Sequence, residues 1–448
     1  MTIFFYNTIF IIFSIIYLPT LILKGKLHKD FFQRFGIFGR ETLARLSSLK
    51  RTVWIHAVSV GEVRAASPLI EFIEKELPGH SIVITTTTRT GNTLARSIFK
   101  ARALVIYYPL DLSFITGRFV ELIRPSVFAA METEIWPNLI MSLSRRGVPA
   151  IILNGRISDR SFAGYRAASG FFKPLLRRIT VFCMQSEADA ERIKIIGAPV
   201  ERVVITGNMK FDTGTAVYRG ASFPGEGDRA RLKVRYSMYP DEEVIIAGST
   251  HPGEEEIIVA VYLRLLAGFP GLRLIIAPRH IERAADIERL LEKSGLRSAR
   301  ISRFEDSGFH SHARPVLILD TIGQLKDLYA IATIVFIGGS LVRKGGHNLV
   351  EPALFGKPIL CGPCMSNFRD MVSQFERYHA VLIVEDEASL EKAMRKLLGS
   401  AQERAFLGDN ARRLIETQSG ASVRNLLVLQ KVLEENAAQA HEGLFAVT

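Results

Sequence analysis

Short, uniformly apolar runs alternate with longer mixed segments along almost the whole chain, and they do so in two series. The first series is 51–57, 81–86, 103–107, 126–130, 149–153, 180–185 and 202–206; the second is 243–248, 272–277, 315–319, 333–338, 357–361 and 380–384. Stretches with helical spacing lie between several of them, for example 62–76 and 91–99. Strands apolar on both sides, separated by helices, belong to parallel sheets covered on both faces. Each series therefore predicts a Rossmann-like αβα domain, with ligands expected at the carboxyl ends of the strands and in a cleft between the two domains. Residues 213–228 are rich in Gly, Ser and Thr and read as the linker. The expected division is an N-terminal segment 1–27, a first domain 28–217, a second domain 218–425, and a helix end and tail over 426–448.

At 448 residues the chain is too long for one ordinary core. Three cysteines exclude a disulfide-stapled scaffold. The formal charge of +12 implies an anionic partner, leaving nucleic acid, an anionic membrane surface and a phosphorylated small molecule open. No interleaving of aromatic and basic residues typical of an RNA-binding module is present, so nucleic acid is not the expected partner.

Residues 3–23 carry no charge, and a helix of that length spans roughly the 30 Å of a bilayer's hydrocarbon layer. Behind them, eight basic residues between Lys24 and Arg51 face only Asp30 and Glu41. That pattern predicts an N-terminal signal-anchor helix with the body on the cytoplasmic face of the inner membrane. No basic region precedes the apolar run and no small-residue cleavage site follows it, which argues against a cleaved signal peptide.

Several strands end in chemically loaded segments. His56-Ala57-Val58-Ser59-Val60-Gly61-Glu62 leaves the first strand, and Glu62 reads either as a helix-capping carboxylate or as a general base at the sheet edge. Thr85–Gly91 suits either an anion site or a helix cap. Met131-Glu132-Thr133-Glu134-Ile135-Trp136 and Asn154-Gly155-Arg156 follow the fourth and fifth strands. Eight basic residues from Arg145 to Arg178 face only Asp159, a candidate anion-binding surface. Lys210, in Gly207-Asn208-Met209-Lys210, is placed to offset developing negative charge.

In the second series, Ala277-Pro278-Arg279-His280 closes a strand with a guanidinium suited to an anion. Gly338-Gly339-Ser340-Leu341-Val342-Arg343-Lys344-Gly345-Gly346 then leads from a strand toward a helix expected near His347 or Asn348, and its amides are candidates to cradle phosphate. Glu351 is suited to a ribose diol. The spacing matches neither GxGxxG nor GxxxxGK[ST], so dinucleotide and ATP chemistry are not indicated. Cys361-Gly362-Pro363-Cys364 has thioredoxin-like spacing but lies late in a long α/β domain, so redox function is not expected. Nor do the histidines and cysteines form a zinc-ligand cluster.

In order, HAVSVGE (56–62), TTTTRTG (85–91), METEIWPN (131–138), LNGRIS (153–158), GNMKFD (207–212), APRH (277–280) and GGSLVRKGGHNLVEP (338–352) resemble the 3-deoxy-D-manno-octulosonic acid (Kdo) transferase family of lipopolysaccharide synthesis, over roughly residues 28–425. The resemblance implies a GT-B architecture and an inverting sugar transfer with no cofactor and no catalytic metal. The implied donor is CMP-Kdo and the implied acceptor a phosphorylated, acylated disaccharide, lipid IVA. It further implies that Glu62 is the general base and that Glu132 and Lys210 stabilise the transition state. Pro278, Arg279, Ile322, Gly323, Gln324, Asn348, Leu349, Val350 and Glu351 are the implied CMP contacts. The family usually has Glu where this chain has Gln324, and His where it has Cys364, so a carboxylate or imidazole contact at those positions is not carried over. A GT-B enzyme using a UDP-sugar and a non-catalytic glycolipid-binding module are the competing readings.

Overall fold

A computed structural model describes residues 6–8, 10–12, 30–212, 225–304 and 314–445, with side chains to residue 438. The chain divides into two compact units, 1–213 with 419–448, and 214–418. Each is built on a seven-stranded parallel sheet, as in GT-B-like enzymes.

In the first unit the strands are β1 Thr52–His56, β2 Ile82–Thr86, β3 Leu104–Tyr107, β4 Pro125–Met131, β5 Ala150–Gly155, β6 Val181–Met184 and β7 Val203–Ile205, in the order β3-β2-β1-β4-β5-β6-β7. Every residue of β1 is buried because the sheet has protein on both faces. Trp54 packs to one side with Phe119 and Phe128, its ring 4.9 Å from that of Phe128. Val53 and Ile55 face the other side with Ile70, Ile73 and Leu429. Leu429 belongs to the last helix, Ala421–Phe445, so the end of the chain completes the core of the first unit. Asp212 fixes the start of that helix, accepting from Gly420 N at 2.7 Å and Ser422 N at 2.5 Å.

The second unit contains β8 Val244–Thr250, β9 Arg273–Pro278, β10 Ser298–Arg300, β11 Val316–Ile318, β12 Ile334–Ile337, β13 Ile359–Cys361 and β14 Leu382–Ile383, in the order β10-β11-β9-β8-β12-β13-β14. The direction of winding reverses between β1 and β4 in the first sheet and between β8 and β12 in the second. Helices depart to opposite faces at such a reversal and leave an opening beyond the strand ends.

Most of the linker expected at 213–228 lies outside the described residues, although Glu226 already begins a helix. The membrane-anchor expectation needs correction. Among the described residues no helix is long and apolar enough to cross a membrane. Of residues 3–23 only 6–8 and 10–12 are described, and Tyr6 and Asn7 are tied to the first unit. Asn7 donates to Ser113 Oγ and accepts from Asn138 Nδ2, both at 2.7 Å. Tyr6 hydrogen-bonds Asp111, and its ring lies 6.0 Å from that of Phe171. An uncharged run sets hydropathy; it does not exclude protein partners for the polar residues within it. The expected transmembrane helix, signal-anchor and inner-membrane placement are therefore not supported.

Candidate active site

The candidate side chains lie in segments that follow the carboxyl ends of the strands, several of them at or beside the two reversals. In the first unit, β1 passes into the helix Val60–Glu76, and Glu62 sits in its first turn, only 7% exposed. Its carboxylate accepts from Val58 N at 2.7 Å and Ser59 Oγ at 3.0 Å, so the turn grips the side chain. Burial, then the negative charge of Glu132, pushes the Glu62 carboxyl up to about 7, and the two hydrogen bonds only partly oppose this. A carboxylate poised near neutrality accepts a proton far more readily than a solvated one.

Glu132 follows β4 with φ +56°, a left-handed conformation unusual outside glycine. Its N–H donates to Leu153 O at 2.8 Å, fixing this turn against β5. The side chain forms an ion pair with Lys210, Nζ to Oε1 2.9 Å, both groups partly exposed. Glu134 accepts from Trp136 Nε1 at 2.8 Å, and burial raises its pKa. Asn154, fully buried with φ +54°, accepts Met209 N at 2.8 Å and so anchors the loop carrying Lys210. Glu62, Glu132 and Lys210 thus gather at the carboxyl edge of one sheet. Asn154 stood in the sequence motif, but its holding role depends on a partner 55 residues away.

Other candidates are placed differently. His56 is fully buried, with Nδ1 3.0 Å from Thr85 O and its ring 3.8 Å from that of Tyr108. Burial pushes its pKa down to about 3, which keeps it neutral. Thr88 caps its helix, accepting Gly91 N at 3.1 Å. Within the basic segment 145–178, Arg146 pairs with Glu121 at 2.5 Å and Arg178 donates to Ser144 Oγ at 2.9 Å.

In the second unit, Pro278 ends β9, and the exposed Arg279 is held through its N–H to Thr250 O at 2.9 Å. Gly323 has φ +92°, Ile322 is 85% exposed, and the Gln324 side chain accepts from Thr321 Oγ1 at 2.6 Å. Asn348 Oδ1 accepts Val350 N at 3.1 Å. The helix following the glycine-rich loop is Val350–Leu354, so Glu351 lies at its start rather than a turn inside. Leu349 and Val350 are buried. Arg279, the 322–324 turn and the 348–351 segment all follow strands of one parallel sheet at its carboxyl edge.

Two features here escaped the sequence reading. His251 and His347 bring their Nε2 atoms to 3.0 Å with rings 5° from parallel. Glu254, beside β8, accepts hydrogen bonds from the glycine-rich loop after β12. The only sequence signal was the run Glu254-Glu255-Glu256 at a helix start, which reads as dipole-favoured surface acid.

Residues 29–213 match the family model described as 3-Deoxy-D-manno-octulosonic-acid transferase (kdotransferase). A 3-deoxy-D-manno-octulosonic acid transferase from Haemophilus influenzae is 35% identical over 408 residues, covering 90% of this chain and 91% of that protein. The solved C-terminal CMP-Kdo binding domain of WaaA from Acinetobacter baumannii is 28% identical, covering 43% of this chain and 97% of that one, with a TM-score of 0.40. A putative UDP-N-acetylglucosamine 2-epimerase from Listeria monocytogenes shares the fold at 14% identity and a TM-score of 0.50, covering 86% of this chain and 97% of its own. Identity extending over nine-tenths of both the Haemophilus protein and this one, together with the matching family model, makes the chain a member of the 3-deoxy-D-manno-octulosonic acid transferase family of glycosyltransferases.

Proposed function

We propose that the enzyme transfers Kdo from CMP-Kdo to a hydroxyl of lipid IVA with inversion at the anomeric carbon. The observation that carries this reading is Glu62: a buried carboxylate gripped by its own turn, raised to about 7, with the Glu132–Lys210 ion pair at the same sheet edge. Glu62 takes the proton of the acceptor hydroxyl as that oxygen attacks the anomeric carbon from the face opposite the phosphate. The bond from anomeric carbon to phosphate oxygen breaks, and its electron pair leaves with CMP. Lys210, oriented by Glu132, offsets negative charge that develops during transfer. Arg279 meets the anionic nucleotide, and Glu351 accepts from its ribose. Pro278, the 322–324 turn and Asn348–Val350 complete the donor contacts.

No step in this scheme calls on a metal ion, because a phosphate monoester departs readily where cationic side chains meet it. The basic surface of the chain suits a phosphorylated acceptor. Incubation with CMP-Kdo and lipid IVA, followed by mass spectrometry of the lipid, tests the proposal. It expects CMP release matched by lipid carrying whole Kdo residues. CMP release without a heavier lipid would overturn the acceptor assignment, and turnover with a UDP-sugar but not CMP-Kdo would overturn the donor.

A further inference from the structure

The glycine-rich loop after β12 has its own anion. Glu254, the first residue of the helix Glu254–Leu266, is completely buried. Its Oε1 accepts Ser340 N at 2.9 Å and Leu341 N at 3.0 Å; its Oε2 accepts Gly339 N at 2.7 Å and His251 N at 3.0 Å. Three consecutive amides converging on one point form the kind of nest that binds phosphate in many nucleotide sites. Here a carboxylate of the protein fills it.

Ser340 extends the same device. Its hydroxyl accepts Gly362 N at 2.7 Å and donates to Ile337 O, while its carbonyl accepts Cys364 N at 2.8 Å. Glu254 thus joins the exits of β8 and β12, and Ser340 joins β12 to β13. The three loops lie too close for side chains at the crossing points. A Cβ on Gly338 would stand 2.4 Å from Ser249 O, and one on Gly362 would stand 2.3 Å from Ser340 O.

The adjacent acids have other tasks. Glu255 pairs with Arg283 at 2.7 Å, and Glu256 accepts Gly253 N at 3.0 Å within its own helix turn. Acid at a helix N-terminus explains Glu256 fully. It does not explain a buried carboxylate bonded to a loop more than 80 residues away.

We propose that Glu254 is a positioning residue of the donor site, and that by filling the 339–341 nest it leaves recognition of the donor phosphate to side chains. Arg279, anchored to the β8 exit, is the foremost of these. The clamp also fixes the direction in which the chain leaves the loop toward Asn348–Glu351. This inference rests on the donor reading proposed above.

The test uses the full chain and Glu254→Gln, which keeps the size but replaces one accepting oxygen with an NH2 facing amide donors. Hydrogen exchange at Gly339, Ser340 and Leu341 should accelerate roughly 100-fold, with β8 amides unchanged. CMP affinity by calorimetry should fall roughly tenfold, and donor KM should rise more than kcat falls. Glu256→Gln should alter neither. Glu254→Asp keeps the charge with a shorter reach and should lie between, and it carries the same measurements if the glutamine variant does not fold.

Fast exchange at 339–341 in the unaltered protein would overturn the clamp. Faster exchange in the variant with unchanged CMP affinity would overturn the positioning role. Failure of the unaltered protein to bind CMP would instead sink the donor reading, while exchange would still report on the clamp.

Discussion

Lys210 Nζ lies 2.9 Å from Glu132 Oε1 across 78 residues of sequence, and burial, joined by the charge of that same Glu132, raises the Glu62 carboxyl. A cation, its partner acid and a near-neutral acid are thereby coupled at one sheet edge. Removing any one should alter the others.

Glu62→Gln should reduce turnover roughly 10²–10⁴-fold with CMP affinity unchanged, because the amide cannot take the acceptor proton. Initial rates and CMP titration on the same folded preparation check this. A residue that only capped its helix would give modest destabilisation with near-normal turnover.

The pH dependence has a defined sign. Turnover should fall as pH drops below about 7, where Glu62 becomes protonated. Stability runs the other way. A carboxyl raised in the folded state contributes stability that is present below its unfolded range and is lost as pH rises through about 7. Thermal melts of Glu62→Gln should therefore gain on those of the unaltered protein between pH 5 and pH 8.

Lys210→Met removes the cation beside Glu132. Turnover should fall by roughly 10². The acid limb of the pH–rate profile should move to higher pH, because the less compensated charge of Glu132 raises Glu62 further. A rate loss with an unmoved limb would argue against this coupling.

Arg279→Ala should weaken CMP binding by about 1.5–3 kcal/mol, the range for a hydrogen bond to a charged group. Glu351→Ala should weaken it as well through loss of the proposed ribose contact. Calorimetric titration of both folded variants measures the effect, and unchanged affinity in both would sink the placement of the nucleotide.

Asn154→Ala leaves Met209 N without its acceptor and places a Cβ residue lacking a polar side chain in a left-handed conformation. The expected loss is about 1–3 kcal/mol for the unsatisfied buried amide alone. Asn154→Gly relieves the backbone but not the hydrogen bond, so it should recover only part of the melt.

Strands were legible because burial on both faces demands unbroken apolar runs, as in Val53-Trp54-Ile55. The short edge strand Ser298–Arg300 was not, since its two outer residues are polar and only Ala299 is buried. The candidate residues Glu62, Glu132, Lys210 and Arg279 could be picked out because each stands in a motif just past an apolar run. The site was illegible where a role depends on a distant partner. Glu254 looks like its two acidic neighbours, and Asn154 like any turn residue after a strand.

Two parallel α/β sheets, the polar and charged motifs past their strand ends and the family could all be read from the sequence. Periodicity and local motif are properties of neighbouring residues, so they survive without coordinates. Tertiary structure decided that Ala421–Phe445 closes the first unit, that Tyr6 and Asn7 bond to it, and that a carboxylate fills the glycine-rich nest. Each of these is a contact across tens to hundreds of residues, set by how the chain winds through its sheets, and no local pattern encodes it.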